Sequence, residues 1–228
     1  MKIYPLHPWD VSTEEAVRIQ QSLACRIRLR GGSALPALVA GADLGFSHTS
    51  QTIYAGVVLL KFPSLELVAK FTLQGRVTFP YVPGLLSFRE APLLLELFKK
   101  VRPTPGLLMF DGQGLAHPRR FGLACHLGLL LDLPAIGCAK SRLVGRYEEP
   151  GNQKGDCSPL VDETGKRLGT VIRTREKCKP LFVSPGHRIS HDNAVRRTLE
   201  CTTRYRIPEP TRLAHNLVTE LRRRDLDP

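Results

Sequence analysis

The ten residues Ala37-Leu-Val-Ala-Gly-Ala-Asp-Leu-Gly-Phe46 form an apolar run that carries one carboxylate, Asp43, between two glycines. A short apolar run of this kind is typical of a strand buried on both faces of a sheet. Because a charged Asp is costly to bury unless it is paired or holds a cation, Asp43 at the strand end is a candidate functional residue. The glycines let a bulky group approach the backbone there. The alternative is an Asp that only ends the strand in a turn, which is the commoner use of Asp at such a position.

The same pattern recurs downstream. A second short apolar run, Leu107-Leu-Met-Phe-Asp111, again ends on an Asp and is followed by Gly112-Gln-Gly114, and a third run at 134–138 leads to Lys140. Apolar helical stretches separate these runs, which indicates parallel βαβ units. Because functional groups gather at the carboxyl ends of parallel strands, we expect Asp43, Asp111 and Lys140 to meet at one edge of the sheet.

The remaining elements complete a mixed α/β prediction. Strands at 52–62 and 65–77, the first reached through a polar turn at 47–51, make an antiparallel meander with the opening strand. The spacing of apolar residues further predicts helices at 13–29, 91–101, 121–131 and 190–201, and a last helix capped by Thr211. Two short strands are expected at 168–173 and 181–184. The polar stretch 145–166 is expected to lie at the surface with little regular structure.

Composition limits the possible partners. The 228 residues suit a single domain, 1–228, and the net charge of +12 favours a polyanion such as nucleic acid, although many basic proteins bind none. We expect no membrane partner and a cytoplasmic protein, because no segment reaches the roughly 18 apolar residues of a membrane helix and the N-terminus lacks the apolar core of a signal peptide. The six cysteines show no Cys-x-x-Cys pair, so we expect buried, reduced thiols.

A proline-rich loop precedes the second helix. Pro80, Pro83 and Gly84 make the segment stiff and non-helical. Ser87 and Glu90 then have the spacing of a capping box, so one interpretation of Glu90 is a purely structural helix cap. The other is that Glu90 is a third acid beside the two aspartates.

Three carboxylates, Asp43, Glu90 and Asp111, would form a set of hard oxygen ligands that suits Mg²⁺ or Mn²⁺ better than zinc. In a basic protein the natural substrate is a phosphodiester, whose phosphoryl and leaving oxygens a metal can stabilise. Lys140 could neutralise charge that grows on the phosphate. His117 and His215 could hold water or move protons, although for either one a hydrogen-bonded structural histidine is the alternative. The chemistry alone indicates a metal-dependent nuclease.

The chain closely resembles the endonuclease V family, the deoxyinosine-directed nucleases. The similarity extends from Ala37 to His215, and its Pro-Tyr-x-Pro-Gly…Arg-Glu segment is highly specific. The matching segments are Gly41-Ala-Asp-Leu-Gly-Phe46, Pro80-Tyr-Val-Pro-Gly-Leu-Leu-Ser-Phe-Arg-Glu90, Asp111-Gly-Gln-Gly-Leu-Ala-His-Pro-Arg-Arg-Phe-Gly122, Ile136-Gly-Cys-Ala-Lys140 and Tyr205-Arg-Ile-Pro-Glu-Pro-Thr-Arg212.

This resemblance implies a ribonuclease H-like fold, with a mixed five-stranded central sheet flanked by helices. It implies Asp43, Asp111 and Glu90 as ligands of Mg²⁺, with Mn²⁺ as a substitute. It also implies His215 as a further member of the metal site and Lys140 as the group on the scissile phosphate.

The resemblance further implies how substrate is bound. The loop from Pro80 to Pro83 would act as a wedge, with Tyr81 filling the space that an extruded base leaves; an ordinary buried tyrosine is the alternative. Hypoxanthine would enter a pocket made largely of backbone, with His117 beside the base or its phosphate. The pocket residues so implied are Gly84, Leu86, Gly112, Gly122 and Leu143. Gln113 and Cys125 depart from the residues common in the family, which bears only on fine substrate preference.

The implied reaction is hydrolysis of the second phosphodiester bond 3′ to deoxyinosine in DNA, leaving 3′-hydroxyl and 5′-phosphate ends. Inosine in RNA stays open as a substrate, and we expect a monomer. Two alternatives remain: another ribonuclease H-like nuclease that uses the same acids, and an inosine-binding protein without catalysis. The three clustered carboxylates favour an enzyme over a binder, because a pure binder has no use for them beside a polyanion.

Overall fold

A computed structural model describes residues 1–47 and 50–224. Alternating helices and strands dominate these residues, as the apolar periodicity predicts. The helices are α1 (Thr13–Ala24), α2 (Leu86–Lys100), α3 (Leu123–Leu131), α4 (His191–Glu200) and α5 (Glu209–Arg224). The strands are β1 (Leu38–Phe46), β2 (Thr52–Lys61), β3 (Leu67–Arg76), β4 (Leu107–Phe110), β5 (Ala135–Ala139), β6 (Cys157–Val161), β7 (Arg167–Ile172) and β8 (Leu181–His187).

All of these strands join one mixed sheet in the order β3-β2-β1-β4-β5-β8-β7-β6. β1, β2 and β3 form the predicted antiparallel meander, and β1, β4 and β5 are parallel neighbours connected through α2 and α3. The predicted α/β arrangement with parallel βαβ units is therefore confirmed. The predicted polar turn at 47–51 includes His48 and Thr49, which lie outside the described residues.

The prediction of five strands is wrong, because the sheet has eight strands within the part of the chain that the structure describes. Beyond β5, the antiparallel strands β8, β7 and β6 extend the sheet. β6 lies within the stretch 145–166, for which we expected little regular structure. The polar residues on both sides of β6 and the proline within it, Pro159, obscure the strand pattern, but β6 is an edge strand, where a proline is tolerated.

Helices cover both faces of the sheet. On one face α2 and α3 pack over alternate residues of β1 and β4 such as Ala40, Ala42 and Phe110. On the other face α4 lies over Val39, Met109 and their neighbours, while α5 packs on β1 and β2. The central strands are thus buried on both sides, which explains their continuous apolar runs.

Several helix boundaries differ from the predicted ones. α1 ends at Ala24 and not at Leu29, although it starts at the predicted Thr13, after a capping box between Ser12 and Glu15 that the structure reveals. α5 begins at Glu209, so Thr211 lies inside its first turn and donates its hydroxyl to the Pro208 carbonyl.

The cysteines are free, and their burial is mixed. Cys125, Cys138 and Cys201 are buried as expected, whereas Cys25 and Cys157 are exposed. No helix within residues 1–47 and 50–224 is long and apolar enough to cross a membrane.

Candidate functional site

Asp43 and Asp111 lie side by side because of the register of two parallel strands. The β1–β4 ladder pairs Ala42 with Phe110, so the next residue on each strand is an aspartate. Asp43 does not end its strand, contrary to the sequence prediction, because β1 continues along β2 to Phe46. The two carboxylates therefore meet where β4 stops and β1 continues.

His215 reaches the same place from α5. Gly41 allows α5 to approach β1 closely, since a Cβ at this position would lie 1.9 Å from the Pro210 carbonyl oxygen. One ring nitrogen, His215 Nδ1, lies 2.8 Å from Asp43 Oδ2. The bulky neighbour that the glycine admits is therefore a helix of this chain.

The described part of the chain holds one cluster with the spacing of a metal site. Asp43, Asp111 and His215 each offer a ligand atom, and these atoms all lie within 4.8 Å of one another. Burial and the nearby charge of Asp111 raise the pKa of Asp43, while the hydrogen bond from His215 opposes that shift. Two carboxylates that repel each other in this way fit a divalent cation, which would relieve the repulsion.

Glu90 lies outside this group of three, although it is close enough for its charge to interact with those of the two aspartates. It is buried in α2, and burial together with the charges of Asp43 and Asp111 raises its pKa to about 8. The capping-box interpretation is wrong, because α2 begins after Leu85 and no side chain caps its first turn. Ser87 is instead buried against His126.

The raised pKa of Glu90 predicts a pH-dependent stability in the metal-free protein. Its ordinary pKa is 4.5, so between pH 4.5 and about 8 unfolding releases a proton that the folded chain holds. The stability that Glu90 contributes is therefore greatest at the acidic end and is lost as pH rises, by on the order of 3 to 5 kcal/mol across this window. Buried histidines such as His117 and His126, whose pKa values are lowered, act in the opposite direction, so the Glu90 contribution is measured as a difference between two proteins. Thermal unfolding in a chelator should show Glu90→Gln gaining stability relative to the native chain as pH rises from 4.5 to about 8. Parallel profiles would contradict it.

Lys140 follows β5 and forms an ion pair with Asp111. Sequence reasoning missed the group that holds its backbone: Arg206 Nη2 donates to the carbonyl oxygens of Lys140 and Pro180, each at 2.8 Å. The sequence carries no signal for this contact, because the residues lie 66 positions apart. Arg206 thereby ties the loop before α5 to the loop that carries Lys140.

A cavity of about 410 Å³ opens beside Asp111 and Lys140. Its lining includes nearly all of the residues expected around a bound base. Those residues are Tyr81, Pro83, Gly84, Leu86, Gly112, His117, Gly122 and Leu143. Pro80 is exposed and does not line the cavity, and Asp43, Glu90 and His215 lie outside its lining. Asp111 thus belongs both to the cavity wall and to the acidic cluster.

The Gly84 carbonyl fixes the wall of the cavity. It accepts hydrogen bonds from Gln20 Nε2 at 3.1 Å and Arg119 Nη2 at 2.7 Å, and His117 Nε2 lies 3.0 Å from it. Gly84 has a φ of +81°, a backbone conformation that glycine adopts without strain. Burial lowers the pKa of His117 to about 4, so its ring is neutral at pH 7. Gln20 and Arg119, which lie far from the loop in sequence, were not predicted.

The arrangement can bind a planar, largely apolar group beside a cluster of acids. Tyr81 stands at the cavity with 72% of its surface exposed, which excludes the alternative of a buried tyrosine. Leu143 is also exposed at the rim. An open cavity, an exposed aromatic ring and an acidic cluster next to a lysine are the parts that a nuclease with a base-binding pocket requires.

Comparisons with known proteins agree with this geometry. The family model of endonuclease V matches residues 21–216. Endonuclease V of Alkalilimnicola ehrlichii is 50% identical over 220 residues, which are 96% of each chain. The crystal structure of endonuclease V from Streptomyces avermitilis has a TM-score of 0.90 at 40% identity and covers 99% of this chain and 98% of that one.

A further solved structure carries a nucleic acid. The crystal structure of Ciona intestinalis endonuclease V, in complex with a 24mer DNA containing an inosine followed by a ribo-adenosine, has a TM-score of 0.82 at 29% identity. The match covers 92% of this chain and 98% of that one. This chain therefore belongs to the endonuclease V family of nucleases.

Proposed function

We propose that the protein recognises deoxyinosine in DNA and hydrolyses the second phosphodiester bond 3′ to it, leaving 3′-hydroxyl and 5′-phosphate ends. The observation that carries the proposal is the position of Asp111 and Lys140: both line the cavity, which is large enough for a base, and Asp111 also belongs to the acidic cluster. A base held in the cavity would keep its own strand next to the acids. The inosine-containing DNA in the Ciona intestinalis relative supports this choice of substrate.

The residues present fit a Mg²⁺ ion, for which Mn²⁺ could substitute. Asp43 and Asp111 would hold it, with His215 beside Asp43 and Glu90 as the third acid, whose charge interacts with both aspartates. The donor set is mostly carboxylate oxygen, as Mg²⁺ and Mn²⁺ prefer. When bound, the ion polarises the phosphoryl oxygen and stabilises the leaving 3′ oxygen.

The side chains around the acids have separate roles in this proposal. Lys140 neutralises charge that grows on the phosphate, and its ion pair with Asp111 holds its amino group in position until substrate arrives. The neutral ring of His117 serves as a hydrogen-bonding partner beside the base or its phosphate. Backbone groups near Gly112, Gly122 and the first turn of α2 would read the base edge, since an unpaired buried polar group costs about 1–3 kcal/mol.

Tyr81 is proposed as the wedge that fills the gap left by the extruded base, supported by Pro80 and Pro83. Its ring is exposed at the mouth of the cavity. Extrusion costs a few kcal/mol in a duplex and less in a single strand, where no partner base is lost.

We expect Tyr81→Ala to lower the selectivity for inosine over adenosine about 10-fold in duplex DNA but only about twofold in single strands, because base–aromatic stacking contributes about 1–3 kcal/mol. Cleavage rates on matched duplex and single-stranded substrates measure this difference. Tyr4→Ala removes another exposed tyrosine, one that does not line this cavity, and serves as the control. Equal losses on both substrates would remove the wedge role.

The proposal is tested by incubating the protein with labelled DNA and RNA strands that differ only in one inosine or adenosine, with and without Mg²⁺. We expect cleavage of the inosine strand alone, only with the cation, at the second bond 3′ to inosine. Cleavage that ignores inosine would favour another nuclease of ribonuclease H-like fold, and binding without cleavage would favour a non-catalytic inosine-binding protein. The paired DNA and RNA strands establish which one the enzyme prefers.

A ribonuclease H-like fold, a monomeric state and a cytoplasmic location also remain proposals. The parallel strands β1, β4 and β5, flanked by the antiparallel meander, support the first of them. Sedimentation at several protein concentrations tests the second.

A further inference from the structure

Behind the base cavity, three polar side chains form a continuous hydrogen-bonded chain that runs from the cavity wall toward the N-terminal segment. Ser87, in the first turn of α2, lines the cavity and its Oγ lies 3.0 Å from His126 Nδ1. His126 Nε2 lies 2.7 Å from His7 Nε2, and His7 Nδ1 lies 2.6 Å from the Pro8 carbonyl oxygen. The chemistry described so far uses none of these side chains.

The positions of the hydrogens in this series of hydrogen bonds follow from the Pro8 carbonyl at its outer end. A carbonyl oxygen can only accept, so His7 Nδ1 carries hydrogen and donates to Pro8. Burial lowers the pKa of both His7 and His126, so each ring is neutral and carries a single hydrogen at pH 7. His7 Nε2 is therefore bare and must accept from His126 Nε2–H. His126 Nδ1 is then bare as well, and it accepts from the Ser87 hydroxyl.

The surroundings of His126 favour these positions of the hydrogens. His126 is fully buried, and its ring contacts are aromatic: Trp9 at 5.2 Å, Phe88 at 5.2 Å and Phe121 at 5.0 Å between ring centroids. Aromatic faces and edges offer no strong acceptor that would compete for a ring hydrogen. If all three hydrogen bonds ran in the opposite direction while both rings stayed neutral, the lone pair of His7 Nδ1 would face the lone pairs of the Pro8 carbonyl oxygen.

This arrangement of hydrogens decides how Ser87 can interact with a group bound in the cavity. Because the Ser87 hydrogen is given to His126, the Ser87 oxygen has only lone pairs left to offer. It can accept a hydrogen bond from a bound group but cannot donate one. Hypoxanthine carries a ring N1–H, whereas adenine has a bare N1 at the same position. A bare N1 facing this oxygen would leave two buried acceptors unpaired.

We propose that Ser87 is a specificity-determining residue of the base cavity, accepting a hydrogen bond from a ring N–H of the nucleobase, and that His126 and His7 are positioning residues that keep its oxygen an acceptor. This inference rests on the proposed function, because it assumes that the base enters the cavity. Ser87 would thus recognise the base edge through a side chain, in addition to the backbone groups. This role explains why a serine in the first turn of α2 faces inward instead of capping the helix.

The proton order can be measured without substrate. Nitrogen NMR of histidine-labelled protein distinguishes a bare ring nitrogen from a protonated one, and His126→Phe assigns the His126 signals by their loss. We expect His126 to carry its hydrogen on Nε2 and to have a bare Nδ1. A hydrogen on Nδ1 would overturn the inference, whatever the enzyme cleaves.

The effect on selectivity is measured by binding, so that it does not depend on cleavage. Fluorescence anisotropy with labelled single strands containing one inosine or one adenosine gives the ratio of the two dissociation constants. We expect Ser87→Ala and His126→Phe each to lower this ratio about 10-fold, mostly through weaker binding of inosine. Trp9→Phe disturbs the same aromatic cluster without breaking the chain, and should leave the ratio unchanged.

The outcomes separate this inference from the proposed function. If the native chain prefers inosine and both variants keep that preference, Ser87 does not read the base and the inference fails while the proposed function stands. If the native chain shows no preference for inosine, the proposed function fails, and the selectivity role of Ser87 fails with it. Equal weakening on both strands would show a structural role only and would also overturn the proposal, and thermal unfolding of each variant identifies such a loss of packing.

Discussion

Asp111→Ala and Asp43→Ala should each abolish cleavage, with a loss of about 10³-fold or more, which corresponds to about 4 kcal/mol of barrier. The two carboxylates are held side by side by the β1–β4 register, and neither can replace the other. Binding to an inosine strand should persist or strengthen, since each change removes a negative charge that faces phosphate. Rates and anisotropy measured in Mg²⁺ on the same labelled strand test both expectations.

An exposed aspartate provides the control for these variants. Asp192 lies on α4 with 86% of its side chain exposed, so Asp192→Ala removes the same charge away from the cluster and should leave the rate within about twofold. Asp43→Asn adds a second comparison, because it keeps the size of the side chain without its charge. Since burial and Asp111 raise the pKa of Asp43, we expect the Asn variant to be inactive yet more stable in a chelator. Full activity in either alanine variant would place the metal site elsewhere.

Lys140→Ala is the second variant with a large expected effect. The amino group pairs with Asp111 at the cavity, where it would face the scissile phosphate. Removing one group that stabilises developing charge costs about 10²- to 10³-fold in kcat, so we expect a loss in this range with a smaller change in KM. Single-turnover rates with saturating protein separate the chemical step from binding.

Lys99→Ala is the matched control for Lys140. Lys99 lies in the last turn of α2, about 20 Å from the helix start at 1.5 Å per residue, and pairs with Glu96 on the surface. We expect it to alter the rate by less than about twofold. A loss confined to KM in Lys140→Ala would show that the lysine only attracts substrate, which contradicts a role in the reaction.

The sequence predicts the central part of the fold because the signals there are local. The apolar runs that lead to Asp43 and Asp111 alternate with helical stretches, and parallel strands bring their carboxyl ends to one edge. β6 was missed because an edge strand needs only partial burial and can include Pro159. The capping-box pattern at Ser87 and Glu90 misled for a related reason: tertiary burial of both side chains overrides a local motif.

The site itself depends on contacts that no local pattern encodes. The hydrogen bond between His215 and Asp43 joins residues 172 positions apart, and that between His7 and His126 spans 119 positions. Asp111 was found from its position after a short apolar run, whereas the wedge role of Tyr81 was found because its segment resembles the family. The contacts of Arg206 and Gln20 follow from no local pattern, since both side chains donate to backbone carbonyls of distant segments. Only the folded chain shows which residues hold the named ones in place.

The binding of a divalent cation between Asp43 and Asp111 is tested most directly by anomalous diffraction from crystals soaked in Mn²⁺. We expect one strong anomalous peak within coordination distance of oxygens from both aspartates, beside His215, and its disappearance in Asp111→Ala crystals. A strong peak at any other cluster, or an unchanged peak after the substitution, would contradict the site described for this chain.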